Sequence, residues 1–157
     1  MTGGLDSMGI RRIEAGILDY GTDMNRKNNP FEMGLGPFVD LTKENFIGKD
    51  KLLQMNKSNC FYGVACENTI PFGGLEILDN EQVVGHTTVG AFSPFLDKGI
   101  GYTLFTKQGN WPGKKLNLRS MDKTLYECEI TSLPFYDFRK KIPRGQVKHM
   151  VATYPVK

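Results

Sequence analysis

The sequence contains few histidines and cysteines, which enzymes often use for nucleophilic, acid–base or metal chemistry. Its 157 residues include two histidines and three cysteines. His86 and His149 lie far apart with no ligand cluster beside either, and Cys60, Cys66 and Cys128 show no CxxC spacing. Neither a disulfide framework nor a structural zinc site is indicated, because both require closely spaced or paired ligands. We therefore expect reduced, mostly buried thiols in a cytoplasmic protein and no bound metal.

Long apolar runs and the common catalytic motifs are missing as well. No segment approaches the roughly 20 apolar residues of a transmembrane helix, and the first ten residues lack the basic and apolar regions of a signal peptide. The chain has no GxSxG, HExxH, P-loop or GxGxxG motif. Ser93 precedes a proline and has no histidine near it, so a nucleophilic serine is not indicated. We expect no contact with a membrane.

Basic charge is concentrated at the C-terminal end. From Arg139 to Lys157 there are six basic residues and no acidic one, whereas residues 1–138 carry fourteen basic and seventeen acidic residues. Two interpretations remain open, a solvated tail or a contact with an anion such as the carboxylate of a ligand. No RNA- or DNA-binding motif accompanies this charge, so we expect no nucleic-acid partner.

Turn residues divide the chain into two parts of different character. Residues 1–55 contain a predicted short strand and loop between Gly9 and Asp23, a helix beginning near Asn29 and Pro30, and a second helix after Gly48. From residue 60 onward, six segments with strand patterning alternate with turn signals, at 61–67, 75–78, 82–89, 99–105, 115–119 and 125–133. This pattern predicts an α+β protein that is mostly β, with helices and a strand followed by a six-stranded antiparallel barrel or a sandwich.

The densest polar segment runs from residue 11 to residue 32. If residues 10–14 form a strand, Arg12 and Glu14 share one face, because side-chain direction alternates along a strand. They could then pair with each other or together meet a ligand. Tyr20, on a Tyr-Gly turn, would present a phenol that stacks on flat heterocycles. The alternative is a surface loop with one internal ion pair.

The order and spacing of several short motifs resemble the glycine-cleavage T-protein (aminomethyltransferase) family. The segments that carry the resemblance are Arg12-Ile-Glu14-Ala-Gly16, Tyr20-Gly21-Thr-Asp23, Pro30-Phe-Glu32 with Leu35, Phe46-Ile47-Gly48-Lys49, the turn with Gly85, Thr88, Gly90, Ser93, Pro94 and Leu96, and Pro134-Phe135-Tyr136. Val89 replaces a serine that is usual in the family's turn. The resemblance extends from about Leu5 to Lys141 and concerns only the C-terminal part of the family.

The resemblance implies a domain division and a cofactor. Residues 1–57 would be the C-terminal remnant of the folate-binding domain, residues 58–142 the C-terminal β-barrel, and residues 143–157 a basic tail. The implied cofactor is tetrahydrofolate. Arg12 and Tyr20 match positions that line the family's folate cavity, and Glu14 is expected to hold Arg12 in place. Arg139 or Lys141 would meet the glutamate tail of the folate.

The activity that the resemblance implies is transfer of a one-carbon unit from an amine donor to tetrahydrofolate. The donor would be an aminomethyl group on a lipoyl carrier protein or a small methylated amine. Two alternatives are a folate-dependent demethylase of the dimethylglycine, sarcosine or sulfonium type, and a non-catalytic folate-binding scaffold. The scaffold branch carries a K-G-C-Y-x-G-Q segment where this chain has residues 46–49. The family's catalytic aspartate lies in its N-terminal part, so we predict no catalytic residue here and an inactive isolated chain.

Overall fold

The computed structural model describes residues 4–147. Within this range the helical segments come first, as α1 (Leu5–Glu14), a 3-10 helix (Gly36–Phe38) and α2 (Lys49–Gln54). The strands follow as β1 (Phe61–Cys66), β2 (Glu76–Asp79), β3 (Gln82–Ser93), β4 (Lys98–Phe105), β5 (Lys115–Arg119) and β6 (Leu125–Thr131). No helix in residues 4–147 has both the length and the apolar character to cross a bilayer. Residues 148–157 of the predicted basic tail lie outside the described residues.

The six strands close into an antiparallel barrel with the order β1-β4-β3-β2-β5-β6. Pairing of β1 with β6, with Val64 opposite Ile130, completes the ring. The two-residue turn Asn80-Glu81, between Asp79 and its partner Gln82, connects β2 to β3. The predicted α+β, mostly β fold with a six-stranded antiparallel barrel is therefore confirmed.

The barrel interior is filled by side chains from alternating strand positions. On β5 and β6, for example, Leu116, Leu118, Cys128 and Ile130 are buried while their neighbours are more exposed, as the two-residue period of a strand requires. The Trp111 ring stacks on Phe105 at a centroid distance of 4.1 Å and covers one end of this core.

A second apolar cluster joins the N-terminal segment to the outer face of the barrel. Ile13 of α1 and Met33 pack with Phe61 of β1 and with Ile100 and Tyr102 of β4. The first sixty residues are too few to bury a large core alone. They are stabilised instead by packing on the barrel wall, which places α1 against β3 and β4.

The predicted strand near residues 10–14 is wrong, because this segment is the end of helix α1. Ile10, Ile13 and Glu14 follow the three- and four-residue spacing of one helix face, and Ile13 and Glu14 are buried. The helix ends at Glu14 and is followed by Ala15 and by Gly16, whose φ is 69°. The Gly16 N–H donates to Ile13 O, and the Ile17 N–H donates to Arg12 O, as in a Schellman cap.

The helix predicted to begin near Asn29 and Pro30 is also wrong, although its capping interactions do form. Asn29 Oδ1 accepts hydrogen bonds from the N–H groups of Phe31 (2.9 Å) and Glu32 (3.0 Å), and a Glu32 carboxylate oxygen accepts from the Asn29 N–H. The turn stops at Gly34, whose φ of 72° is left-handed, so no helix propagates. The helix predicted after Gly48 is confirmed as α2.

Burial of two of the three thiols predicts selective labelling. Cys66 and Cys128 are each 1% exposed in the barrel core, and a hydrogen bond between them together with burial raises the pKa of the Cys66 thiol. We expect a thiol reagent such as 5,5′-dithiobis(2-nitrobenzoate) to modify one cysteine, Cys60, in the folded protein and all three after denaturation. Labelling of Cys60 should be slow, because burial raises its pKa too.

The matched control is Cys60→Ser, which should abolish labelling of the folded protein. Rapid labelling of a second thiol in that variant would contradict the placement of Cys66 and Cys128.

Candidate functional site

The site begins at the side chain of Arg12, in the last turn of α1. Arg12 Nη1 donates hydrogen bonds to Asp23 Oδ2 at 2.7 Å and to Ile17 O at 3.1 Å. The Arg12 side chain is 24% exposed and the Asp23 side chain is 0% exposed, so the ion pair has one buried partner. The Arg12 guanidinium also lies 5.9 Å from the centre of the Tyr102 ring. The arginine is thus held from two sides at the edge of the barrel.

Asp23 closes the turn that carries Tyr20. Asp23 Oδ2 also accepts a hydrogen bond from the Asp19 N–H at 2.8 Å, and the Gly21 N–H donates to Met24 O at 2.8 Å. Tyr20 lies in the turn that these two hydrogen bonds close, and it is 62% exposed. Its ring is therefore available to a ligand on a turn whose backbone is fixed.

Thr88 of β3 connects this turn to the barrel. Thr88 Oγ1 donates to Asp23 Oδ1 at 2.7 Å. The strand register shifts at this residue, with Thr87 opposite Thr103 and Val89 opposite Tyr102. Thr88 is thus the extra residue of a β-bulge, a feature that commonly redirects a side chain.

Tyr102 of β4 supports the same region from beneath. Its hydroxyl lies 2.8 Å from Arg12 O, 3.0 Å from Ile13 O and 3.2 Å from Ile17 O, so its single proton is shared among these carbonyl oxygens. Burial raises the pKa of the phenol, and the positive charge of Arg12 opposes this increase. A barrel hydroxyl thus adds a donor at the end of α1, where the Gly16 and Ile17 N–H groups also bond to the carbonyl oxygens.

Glu14 does not hold Arg12, so that expectation is wrong. The Glu14 carboxylate, 6% exposed, accepts a hydrogen bond from Ser93 Oγ at 2.6 Å and another from the Tyr136 hydroxyl at 2.8 Å. Residues two apart on a helix point in directions roughly 200° apart. Arg12 and Glu14 therefore serve different clusters, and Glu14 joins α1 to the end of β3 and to the C-terminal segment.

Arg139 and Lys141 lie on the exposed chain that follows the barrel. Asp137 shapes this chain by accepting hydrogen bonds from the N–H groups of Lys141 and Ile142, at 2.8 and 2.9 Å. Within residues 4–147 neither basic side chain makes an ion pair, and no hydrogen bond joins either of them to Arg12 or Tyr20. The five predicted site residues thus occupy three places, the Arg12–Tyr20 turn, the Glu14 cluster and the exposed basic chain.

An open apolar cleft of about 650 Å³ adjoins the Tyr20 turn. It is bounded on one side by Ile17, Leu18 and Met24 from that turn. Further lining comes from Phe38 and from Phe138, which are 84% and 79% exposed. Exposed aromatic side chains around a concave surface are typical of a binding site.

Comparison with known proteins identifies the barrel. Residues 60–137 match the family model described as the glycine cleavage T-protein C-terminal barrel domain. An aminomethyltransferase of Alkaliphilus oremlandii is 37% identical over 137 residues, which is 85% of this chain and 37% of that protein. The chain belongs to the glycine-cleavage T-protein family. It matches the C-terminal part of that family.

Two further T-protein relatives show the same coverage. The Thermotoga maritima aminomethyltransferase is 36% identical over 151 residues, or 94% of this chain and 39% of that protein. The crystal structure of glycine cleavage system aminomethyltransferase T from Bartonella henselae shares the fold, with a TM-score of 0.74 and 24% identity over 85% of this chain and 39% of that one. The chain therefore spans under two fifths of the length of these T-proteins.

Sequence reasoning missed the side chains that position the predicted T-protein site residues. Asp23, Thr88, Ser93 and Tyr136 all stand within the quoted family motifs, yet none was assigned a role. The available signal was their place in those motifs. Their partners lie up to 122 positions away in the sequence, so only the fold could identify the pairs.

Loss of the Tyr102 hydroxyl should destabilise the junction between α1 and the barrel. Tyr102→Phe removes one hydrogen bond, while the three carbonyl oxygens keep the N–H donors of Ile17, Gly16 and Arg12, so the free energy of unfolding should fall by about 0.5–1.5 kcal/mol. Urea denaturation followed by circular dichroism measures this. Tyr126→Phe is the control, because Tyr126 makes no side-chain hydrogen bond within residues 4–147; equal losses in the two variants would contradict the assignment.

The pH dependence of the free energy of unfolding should reflect the hydrogen bond between Tyr136 and Glu14. Burial, and then the hydrogen bond to Glu14, raises the pKa of Tyr136 from 10.0 to about 12. The folded state therefore keeps this proton where the unfolded state has lost it. The resulting stabilisation is fully present below pH 10 and is lost as the pH rises through 12.

We expect the free energy of unfolding of the wild-type protein to fall more steeply between pH 10 and 12 than that of Tyr136→Phe. Denaturation at several pH values, with phenolate absorbance at 295 nm as a second readout, measures the difference. Identical slopes would contradict the hydrogen bond from Tyr136 to Glu14.

Proposed function

We propose that the chain is the C-terminal part of a tetrahydrofolate-dependent aminomethyltransferase and forms one wall of its folate site. The parent protein would transfer a one-carbon unit from an amine donor, on a lipoyl carrier protein or a small methylated amine, to tetrahydrofolate. The observation that supports this most directly is the turn at residues 17–24, where Asp23 fixes Arg12 and leaves Tyr20 exposed beside an apolar cleft. The family membership supplies the reaction class.

The residues around the cleft suit the chemistry of tetrahydrofolate. The cofactor combines a flat pterin ring, a benzoyl ring and glutamate carboxylates. Tyr20 offers an exposed ring for stacking and a hydroxyl for hydrogen bonding. Phe38 and Tyr62 contribute aromatic surface to the cleft, and Lys140 adds a positive charge at its edge. When bound, tetrahydrofolate supplies the nitrogen that accepts the one-carbon unit.

The role of this chain in that reaction is positional. Arg12, with its direction fixed by Asp23, offers guanidinium N–H groups to the ring system, and Tyr20 limits where the ring can lie. Arg139 and Lys141 are exposed and free of ion pairs within residues 4–147, so they are available to the glutamate carboxylates. In this proposal residues 1–57 belong to the folate-binding domain, residues 58–142 to the barrel and residues 143–157 to a basic tail. None of these residues is assigned a catalytic role.

A ligand titration tests the proposed wall. We expect the chain to bind 5-formyltetrahydrofolate, a chemically stable probe, weakly, because only one wall is present. Tyr20→Ala should weaken binding by roughly 2- to 10-fold through loss of ring contact. Chemical-shift changes in 15N–1H NMR spectra measure the affinity. Tyr126→Ala, on β6, is the control; tight binding that survives Tyr20→Ala would contradict the site.

An activity measurement tests the positional role. Incubation of the chain with tetrahydrofolate and an aminomethyl-lipoyl or methylated-amine donor should release no ammonia or demethylated amine above background. Detectable turnover would show that a catalytic group lies within these residues, contrary to the proposal.

A further inference from the structure

We propose that Asp23 is a positioning residue of the folate wall, which sets the direction of Arg12 and is itself oriented by Thr88 of the barrel. The ligand role of Arg12 rests on the proposed function. The positioning by Asp23 rests on the geometry alone.

The burial of Asp23 excludes direct contact with a ligand and requires that it act through other residues. Its side chain is 0% exposed, yet its carboxylate accepts hydrogen bonds from three donors in three parts of the fold. These are the Arg12 guanidinium at 2.7 Å, the Asp19 N–H at 2.8 Å and the Thr88 hydroxyl at 2.7 Å. Asp23 therefore links the end of α1, the Tyr20 turn and strand β3.

The negative charge of Asp23 determines which side chain forms an ion pair with it. Within residues 4–147 its only ion pair is with Arg12. A buried carboxylate without a cation is strongly unfavourable, so Arg12 must point towards it. The Tyr102 ring, 5.9 Å from the Arg12 guanidinium, lies beside the same group. An arginine held in this way loses little conformational entropy when a ligand binds it.

The bulge in β3 explains how the barrel orients the carboxylate. Before the bulge, Thr87 lies opposite Thr103 and its hydroxyl bonds to the backbone of Leu75 and Phe72. After the bulge, Val89 lies opposite Tyr102 on the outer apolar cluster. The extra residue, Thr88, can therefore turn its hydroxyl to Asp23 without disturbing either face.

Side-chain NMR of the 157-residue chain tests the positioning directly. In the wild-type protein, the Arg12 Nη groups should give separate 15N–1H signals, because the ion pair hinders rotation of the guanidinium. Asp23→Asn preserves shape and removes the charge, so these signals should merge. Thr88→Val should have a smaller effect in the same direction. The matched controls are Asp122→Asn, which alters a turn carboxylate between β5 and β6, and Thr106→Val, which removes an exposed hydroxyl bonded to Val84 O.

A double-mutant cycle tests the consequence for binding. Asp23→Asn should weaken binding of 5-formyltetrahydrofolate by about tenfold, the usual size of one charge-assisted hydrogen bond. In an Arg12→Ala background the same change should have no further effect, because Asp23 acts through Arg12. A purely structural role would instead weaken binding equally in both backgrounds, and this result would overturn the proposal.

The two readouts separate failure of the inference from failure of the proposed function. Unchanged Arg12 signals in Asp23→Asn would overturn the positioning role, even if Arg12→Ala abolishes folate binding and thereby supports the folate wall. If the signals merge but Arg12→Ala leaves the affinity for 5-formyltetrahydrofolate unchanged, the folate role of Arg12 is overturned. The positioning of Arg12 by Asp23 then still stands.

Discussion

The arrangement of the site depends on the contact between the last turn of α1 and the outer face of β4. The Tyr102 hydroxyl lies within hydrogen-bond distance of the Arg12 and Ile13 carbonyl oxygens at the helix end, and Ile13 packs with Ile100 and Tyr102 in the outer cluster. This contact fixes the position and rotation of the helix on the barrel. The side chains of Arg12 and Glu14 then point in different directions, each towards its own buried cluster.

The two clusters resemble each other in physical design. In each, a carboxylate with little exposure accepts hydrogen bonds from residues that are distant in sequence, from Thr88 to Asp23 and from Ser93 and Tyr136 to Glu14. Buried charged groups of this kind contribute little net stability, because desolvation offsets much of the attraction. Their geometry is nevertheless specific, since leaving any donor or charge unpaired is costly. Both clusters join the N-terminal segment to β3, a strand of the T-protein barrel.

Much of the barrel was predictable, because its strands alternate apolar and polar residues between clear turn signals, as at Leu116 and Leu118 of β5. The N-terminal segment was harder. Residues 5–14 contain Gly9 and are closely followed by Gly16, and a short apolar pattern so interrupted also fits a strand. Asn29 and Glu32 carry a true helix-capping pattern, but Gly34 in a left-handed conformation ends the turn that they begin. Local signals were thus correct where no tertiary contact or glycine conformation opposed them.

The sequence alone determined the family and the six-stranded barrel and drew attention to the polar segment around Arg12 and Tyr20, because motifs and side-chain alternation are local properties of the chain. Only the tertiary structure decided that Asp23, and not Glu14, holds Arg12. The physical reason is that helical geometry separates neighbouring side chains, while the partners of Asp23 and Glu14 on β3 and in the C-terminal segment come from 65 to 122 positions away. Pairing at such distances is decided when α1, β3 and the C-terminal segment pack together, and no pattern within one segment encodes it.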